Sequence, residues 1–211
     1  MEFAFCLAIG YLLGCISPSY MLSKSKGVEL RSVGQKNLGA TNAFLILGKT
    51  SGIIVMIIDF MKGFLAVKLA ALMFPSFEIA GVVAGASAIL GHIFPFYLKF
   101  RGGKGLATLG GLILATDVKS FMSLAVIAII AVLITDWGCS ASFAAAILYP
   151  FFYFIKTESF ICLAILEITC ICVIVKHFAN IPRLKEGNEP SVRATFKKFL
   201  GLQKDEDYTE E

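Results

Sequence analysis

The sequence predicts an all-α membrane protein: a seven-transmembrane-helix bundle with its N-terminus outside and its C-terminus in the cytoplasm. Three observations point there. The 211 residues are 57% hydrophobic and only 16% charged, with a mean hydropathy of +0.81, whereas soluble globular proteins run nearer ~45–50% apolar and ~25% charged. At roughly 20 residues per spanning helix, the length accommodates six or seven spans with short loops and leaves nothing for a separate soluble domain. Most of the 19 basic residues also fall on alternate connections between the apolar segments, which the positive-inside rule places in the cytoplasm.

The first span runs from Phe3 to about Leu22. No Lys or Arg precedes it, as a cleaved signal peptide would require, so it is expected to stay as a helix. Lys24, Lys26, Arg31 and Lys36 follow on the cytoplasmic side. A long second segment, Asn42 to Phe74, carries Asp59 and Lys62 three residues apart. An ionised group in lipid is costly without a partner, so these two are expected to pair and brace the bundle. Phe74-Pro75-Ser76 ends that segment, and a third span from about Phe77 to Leu98 returns to Lys99, Arg101 and Lys104. The fourth, Leu106 to Ala115, is short for a crossing, and the glycine-rich loop before it is expected to help it across. Phe121–Ile134, Ala141–Ile155 and Phe160–Val175 complete the seven. Residues 1–190 then form one integral-membrane domain and 191–211 a polar cytoplasmic tail. The six cysteines sit in or beside apolar segments and read as small buried residues, with no disulfide framework or metal cage. No basic patch suggests nucleic acid.

Four polar clusters converge on the cytoplasmic side. Arg101-Gly102-Gly103-Lys104-Gly105 places two cations among glycines whose N–H groups can approach an anion closely, a pattern that suits phosphate. It is not a Walker loop, since Gly105 rather than Ser or Thr follows Lys104. The plainer alternative is a loop made basic only to fix membrane orientation. Gly34-Gln35-Lys36-Asn37-Leu38-Gly39-Ala40-Thr41-Asn42 enters the second segment and could present a helix N-terminus to an anion; Thr41 or Asn42 could equally serve as an ordinary cap. Ser140 and Ser142 begin the sixth span, and His177, Asn180 and Arg183 follow one another at helical spacing near the end of the seventh. No His-x4-Asp pair and no Gly-x-Ser-x-Gly elbow is present.

Together these stretches resemble the acyl-phosphate-dependent glycerol-3-phosphate acyltransferases of bacteria. The resemblance rests on Asn37-Leu38-Gly39-Ala40-Thr41-Asn42, Asp59-x-x-Lys62-Gly63, Gly91-His92-x-Phe94-Pro95, Lys99-Phe100-x-Gly102-Gly103-Lys104-Gly105-x-Ala107-Thr108 and His177-x-x-Asn180-Ile181-x-Arg183-Leu184. It implies a monomeric, multi-pass enzyme of the bacterial plasma (inner) membrane with its active site facing the cytoplasm and no cofactor or metal. The implied reaction transfers a fatty acyl group from acyl phosphate to the sn-1 hydroxyl of glycerol 3-phosphate, giving lysophosphatidic acid and inorganic phosphate without a covalent acyl-enzyme. By position, Lys104, Ser142, His177 and Asn180 match the family's catalytic residues. Lys36, Asn37, Gly39, Thr41, Asn42, Arg101, Gly102, Gly103, Gly105 and Arg183 fall where substrate phosphates would bind.

Two departures stand out. The family's Gly-Ser-Gly-Asn is Gly34-Gln35-Lys36-Asn37 here, and its arginine three positions after Asn42 is Leu45. Losing a charge-assisted phosphate contact costs roughly 1.5–3 kcal/mol, and Lys36 is expected to compensate in part. The alternatives are a divergent homologue with a changed acceptor or no activity, and an organic-phosphate binding or transport protein, although the paired broken helices common in transporters do not appear.

Overall fold

The computed structural model describes residues 1–202, and within them the chain is all helix apart from one isolated bridge between Trp137 and Ser191. The elements are α1 (Glu2–Cys15), α2 (Pro18–Ser25), α3 (Ala40–Leu47), α4 (Lys49–Met73), α5 (Ala80–Ile93), α6 (Leu106–Thr116), α7 (Val118–Thr135), α8 (Gly138–Thr157), α9 (Phe160–His177), α10 (Ile181–Lys185) and α11 (Val192–Phe199). Five helical stretches are long and apolar enough to cross a membrane: Glu2–Ser25, Ala80–Leu98, Val118–Thr135, Gly138–Thr157 and Phe160–Lys185. The helix α6, at 11 residues, is a shorter apolar element.

Two expected continuous segments are broken. The first divides at Ile16–Ser17, where Ser17 accepts from the Tyr20 N–H and Pro18 opens α2. A proline at the first helical position lacks only an N–H that would be unpaired anyway. The second divides at Gly48, whose φ of +91° lies where L side chains are strained, so α3 and α4 meet at a corner. At the other end, the acidic residues 205–211 lie outside the described residues.

Small residues set the packing. A Cβ on Gly10 or Gly14 of α1 would lie 2.1 Å from the carbonyl oxygens of Ala84 and Ala88 on α5. Without a hydrophobic drive between helices in lipid, such close approach supplies the van der Waals contact that holds them. The same device joins α4 to α6: a Cβ on Gly63 would stand 2.1 Å from the Thr108 carbonyl oxygen, and one on Gly111 2.0 Å from that of Phe60. Drawn this near to α4, the short α6 keeps its N-terminus, and the glycine loop before it, inside the bundle. On the lipid side the helices expose long apolar faces, as α7 does with Val126, Ile129, Ile130 and Leu133.

The expected Asp59–Lys62 pair is present at 2.7 Å, with both side chains about 3% exposed. Five of the cysteines are buried and Cys172 is half-buried, all as free thiols. Part of the predicted tail is ordered: α11 lays Val192 and Thr195 on the protein and turns Arg193, Lys197 and Phe196 outward.

Candidate active site

A cavity of about 550 Å³ opens among the cytoplasm-assigned ends of α3, α6, α8 and α9. Its polar end is lined by Gln35, Asn37, Thr41, Lys104, Ser142, His177, Asn180 and Glu189. An apolar arm continues past Met56 and Phe60 of α4 and Phe121, Leu124 and Ala128 of α7, over Ala107 and Gly110 of α6. Met56 is half-exposed, so this arm reaches the outer surface of the bundle. One cavity thus joins a polar chamber to a slot fit for a hydrocarbon chain.

Three helices begin at the polar chamber. The first turns of α3 (Gly39, Ala40, Thr41), α6 (Gly105, Leu106, Ala107) and α8 (Gly138, Cys139, Ala141) all line it, and none of the three has a side-chain cap. By contrast Asp117 caps α7 and Ser159 caps α9 away from the cavity. Each uncapped start leaves backbone N–H groups and the positive end of a helix dipole facing the cavity, an arrangement that favours anions.

The glycine loop builds this chamber differently from the expected nest. The Gly102 N–H donates to the Ile93 carbonyl at 3.0 Å and the Gly103 N–H to the His92 carbonyl at 3.1 Å, so neither faces a ligand. These bonds fasten the loop to the end of α5. Contact with α5 is so close that a Cβ on Gly102 would lie 2.0 Å from the His92 carbonyl oxygen, and one on Gly103 2.2 Å from His92 Nε2. Gly105, at φ +93°, then turns the chain into α6 and leaves Lys104 directed into the cavity.

Lys104 Nζ donates to Asn180 Oδ1 at 2.6 Å, Asn180 Nδ2 donates to Glu189 Oε1 at 2.6 Å, and Arg183 Nε donates to Glu189 Oε2 at 2.9 Å. This chain of contacts fixes the amide orientation of Asn180 and holds Glu189, 5% exposed at its side chain, between the Asn180 amide and the Arg183 guanidinium. Pro182 in the first turn of α10 permits the bend that brings Arg183 round. Burial, and after it the Arg183 guanidinium, pushes the Lys104 ammonium down to about 8. A phosphate arriving beside it meets a cation that lacks full charge compensation. His177 turns Nδ1 to the Val173 carbonyl at 2.8 Å and stacks edge-on to Phe143 at 5.9 Å, leaving its other ring nitrogen for the cavity. Ser142, 1% exposed, lines the cavity with no hydrogen-bond partner for its Oγ among the described residues.

Of the residues singled out from the sequence, the structure gathers Asn37, Gly39, Thr41, Lys104, Gly105, Ser142, His177 and Asn180 on one cavity wall. Gly102, Gly103 and Arg183 stand behind that wall. Asn42 is fully buried, and its side chain is spent on the loop itself: Oδ1 accepts from the Gln35 N–H at 2.8 Å, and Nδ2 donates to the carbonyls of Leu30, Val33 and Asn37. It shapes the loop that carries Gln35 and Asn37. Lys36 and Arg101 are exposed and do not line the cavity. Three wall residues were missed as site residues: Gln35, Glu189 and His92. Glu189 stands nine positions beyond Asn180, too far for helical spacing to suggest the contact; His92 stood in the Gly91-His92-x-Phe94-Pro95 stretch that carries the resemblance, with no role assigned to it.

The fold and cavity define a helical integral-membrane protein equipped to place anionic head groups beside an apolar chain. Residues 4–187 match the glycerol-3-phosphate acyltransferase family, and the chain belongs to it. It is 35% identical over 194 residues to the Bacillus subtilis (strain 168) glycerol-3-phosphate acyltransferase, covering 92% of this chain and 99% of that one. It is 40% identical over 189 residues to the one from Prochlorococcus marinus (strain MIT 9215), covering 86% and 93%. Crystal structures of PlsY (YgiH), an integral membrane glycerol 3-phosphate acyltransferase, superpose on it. The glycerol 3-phosphate form does so with a TM-score of 0.82 at 32% identity, covering 90% of this chain and 96% of that one. The lysophosphatidic acid form gives 0.80 at 29% identity, covering 93% and 99%.

Proposed function

We propose that the protein transfers a fatty acyl group from acyl phosphate to the sn-1 hydroxyl of glycerol 3-phosphate, releasing lysophosphatidic acid and inorganic phosphate. The observation that carries this reading is the single cavity in which Lys104 and three uncapped helix N-termini share one end with an apolar arm. Two phosphates, one on each substrate, need such a concentration of positive potential, and a fatty chain needs the slot between α4 and α7.

The residues support direct transfer. A covalent route needs a nucleophile within hydrogen-bond reach of a base, and Ser142 Oγ has no such partner among the described residues. In the direct step the acceptor hydroxyl oxygen forms the new bond to the acyl carbon. The bond from that carbon to the phosphate oxygen breaks, and phosphate leaves with the electron pair. The hydroxyl proton passes to the departing phosphate, so the enzyme need not retain it. Rate then comes from holding the two substrates in line and from Lys104 and the helix starts stabilising charge that builds on the leaving phosphate. Asn180, held by Glu189, orients Lys104. His177 and Ser142 face the cavity where the glycerol hydroxyl groups would lie.

In this reading the chain is a monomer that crosses the bacterial plasma membrane seven times, N-terminus out. The spans are α1 with α2, then α4 to α9 in turn, and the cavity mouth faces the cytoplasm, where the positive-inside rule puts Lys24, Lys99 and Lys104. The testing experiment measures phosphate release from palmitoyl phosphate by the purified protein, with and without glycerol 3-phosphate. Release that needs the acceptor, and that Lys104→Ala abolishes, is expected. Glycerol 3-phosphate binding without any release would make this a binding or transport protein, and no binding would mean another acceptor.

A further inference from the structure

Both histidines of the chain line the cavity, and their neighbours fix them in opposite tautomers. His92 Nδ1 lies 2.8 Å from Lys62 Nζ. That ammonium also donates to the Ile16 carbonyl at 2.8 Å and pairs with Asp59 Oδ1 at 2.7 Å. An ammonium has three N–H donors and no lone pair, so Nδ1, at 2.8 Å from it, must offer its lone pair, while Asp59 Oδ1 meets the ammonium as an ion-pair contact without hydrogen-bond geometry. The opposite assignment could send an Nδ1–H to Asp59 Oδ1 at 3.3 Å only by also pointing it at the ammonium hydrogens 2.8 Å away. The proton of neutral His92 therefore sits on Nε2, beside Gly103, where any side chain would collide with it. His177 is the reverse case. Its Nδ1 is 2.8 Å from a carbonyl, which can only accept, so Nδ1 carries the proton and Nε2 presents a lone pair.

We infer that His92 is a substrate-binding residue whose Nε2–H donates to a phosphate oxygen held beside Lys104, with Lys62 and Asp59 acting through it as positioning residues. Gly103 keeps the loop low enough for that hydrogen to reach the cavity. His177 supplies the complementary acceptor, so the two rings give the chamber one fixed donor and one fixed acceptor. The inference rests on the acyl-transfer reading for the identity of the phosphate, but the tautomers do not depend on it.

The test is nitrogen-15 spectroscopy of the full chain labelled at histidine, whose two rings are assigned with His177→Gln. The expected spectrum has His92 protonated on Nε2 and His177 on Nδ1, and added inorganic phosphate or glycerol 3-phosphate moves the His92 Nε2–H downfield. An Nδ1–H on His92, or an unmoved Nε2–H at phosphate concentrations that saturate the protein, overturns the inference. Failure of acyl transfer with these signals intact would instead refute the reading of the reaction. Two variants give an independent readout. His92→Gln keeps a donor at about the reach of Nε2 but loses the acceptor for Lys62; His92→Asn keeps an acceptor near Nδ1 but falls short of the cavity. Loss of a hydrogen bond to a charged ligand is worth about 10- to 100-fold, so His92→Asn is expected to lose that much in kcat/KM for glycerol 3-phosphate, with His92→Gln the more active of the two. A merely structural histidine would reverse that order.

Discussion

Raising the pH should switch off acceptor binding at an unusually low point for a lysine-dependent site. Lys104 is held at about 8, first by burial and then by Arg183, against an ordinary value of about 10.5. The difference, roughly 2.5 units, means that at pH 7 the folded protein keeps the charged form at a cost of about 3 kcal/mol. The sign follows from the direction. Because the folded value lies below the unfolded one, this cost is full below pH 8 and is relieved as pH climbs from about 8 to about 10.5. Bound phosphate offsets the same cost and should restore the affinity of Lys104 for its proton. A phosphate monoester, with its second pKa near about 6, is already dianionic over this range, so the change belongs to the enzyme. Only the cationic lysine attracts it, so kcat/KM for glycerol 3-phosphate should fall through pH 8 and then drop about tenfold per unit. The assay is acceptor-dependent phosphate release from palmitoyl phosphate between pH 6.5 and 9.5, beside Lys104→Arg, which stays charged throughout. A flat wild-type profile up to pH 9.5, or an identical fall in Lys104→Arg, would refute this reasoning.

Gly103→Ala should lower kcat/KM by about 100-fold or more while the protein still purifies folded, because its Cβ would stand 2.2 Å from His92 Nε2 and must lift the loop that carries Lys104; near-normal kinetics would show that the loop tolerates the shift. Gly110→Val should shorten the donors that are accepted, since a Cβ there already lies 3.2 Å from the Phe60 ring in the apolar arm, and comparing KM for palmitoyl and octanoyl phosphate would reveal no selective loss if the arm holds no chain. Asp59→Asn or Lys62→Met alone should destabilise by about 3–5 kcal/mol by leaving a buried charge unpaired, whereas the double variant should recover much of this; thermal unfolding in detergent would contradict the pairing if the two losses simply added.

The apolar pattern revealed the helical membrane architecture because lipid demands long runs of apolar residues whose backbone bonds are satisfied within each helix. It did not reveal the corner at Gly48, since α3 and α4 are both apolar and only the positive φ separates them. Spacing within one helix paired Asp59 with Lys62, but His92 joins them from another helix 30 positions away, which no local periodicity can signal. For Asn42 the plainer capping alternative lay nearer to what the structure shows, as its amide stitches the preceding loop together. Glycine-rich composition correctly pointed to close backbone approach at Gly102 and Gly103, but the partner approached is the end of α5. The positive potential of the chamber comes instead from three helix starts brought together by tertiary packing, which the linear sequence scatters from Gly39 to Ser142.

Direct transfer within one cavity is tested most squarely by initial rates over a matrix of palmitoyl phosphate and glycerol 3-phosphate concentrations. Both substrates must occupy the chamber together, so double-reciprocal lines should intersect, and no phosphate should be released before acceptor is added. Parallel lines, with a burst of phosphate in the absence of acceptor, would establish an acyl-enzyme and contradict the reading of Lys104 and the three helix starts as the means of catalysis.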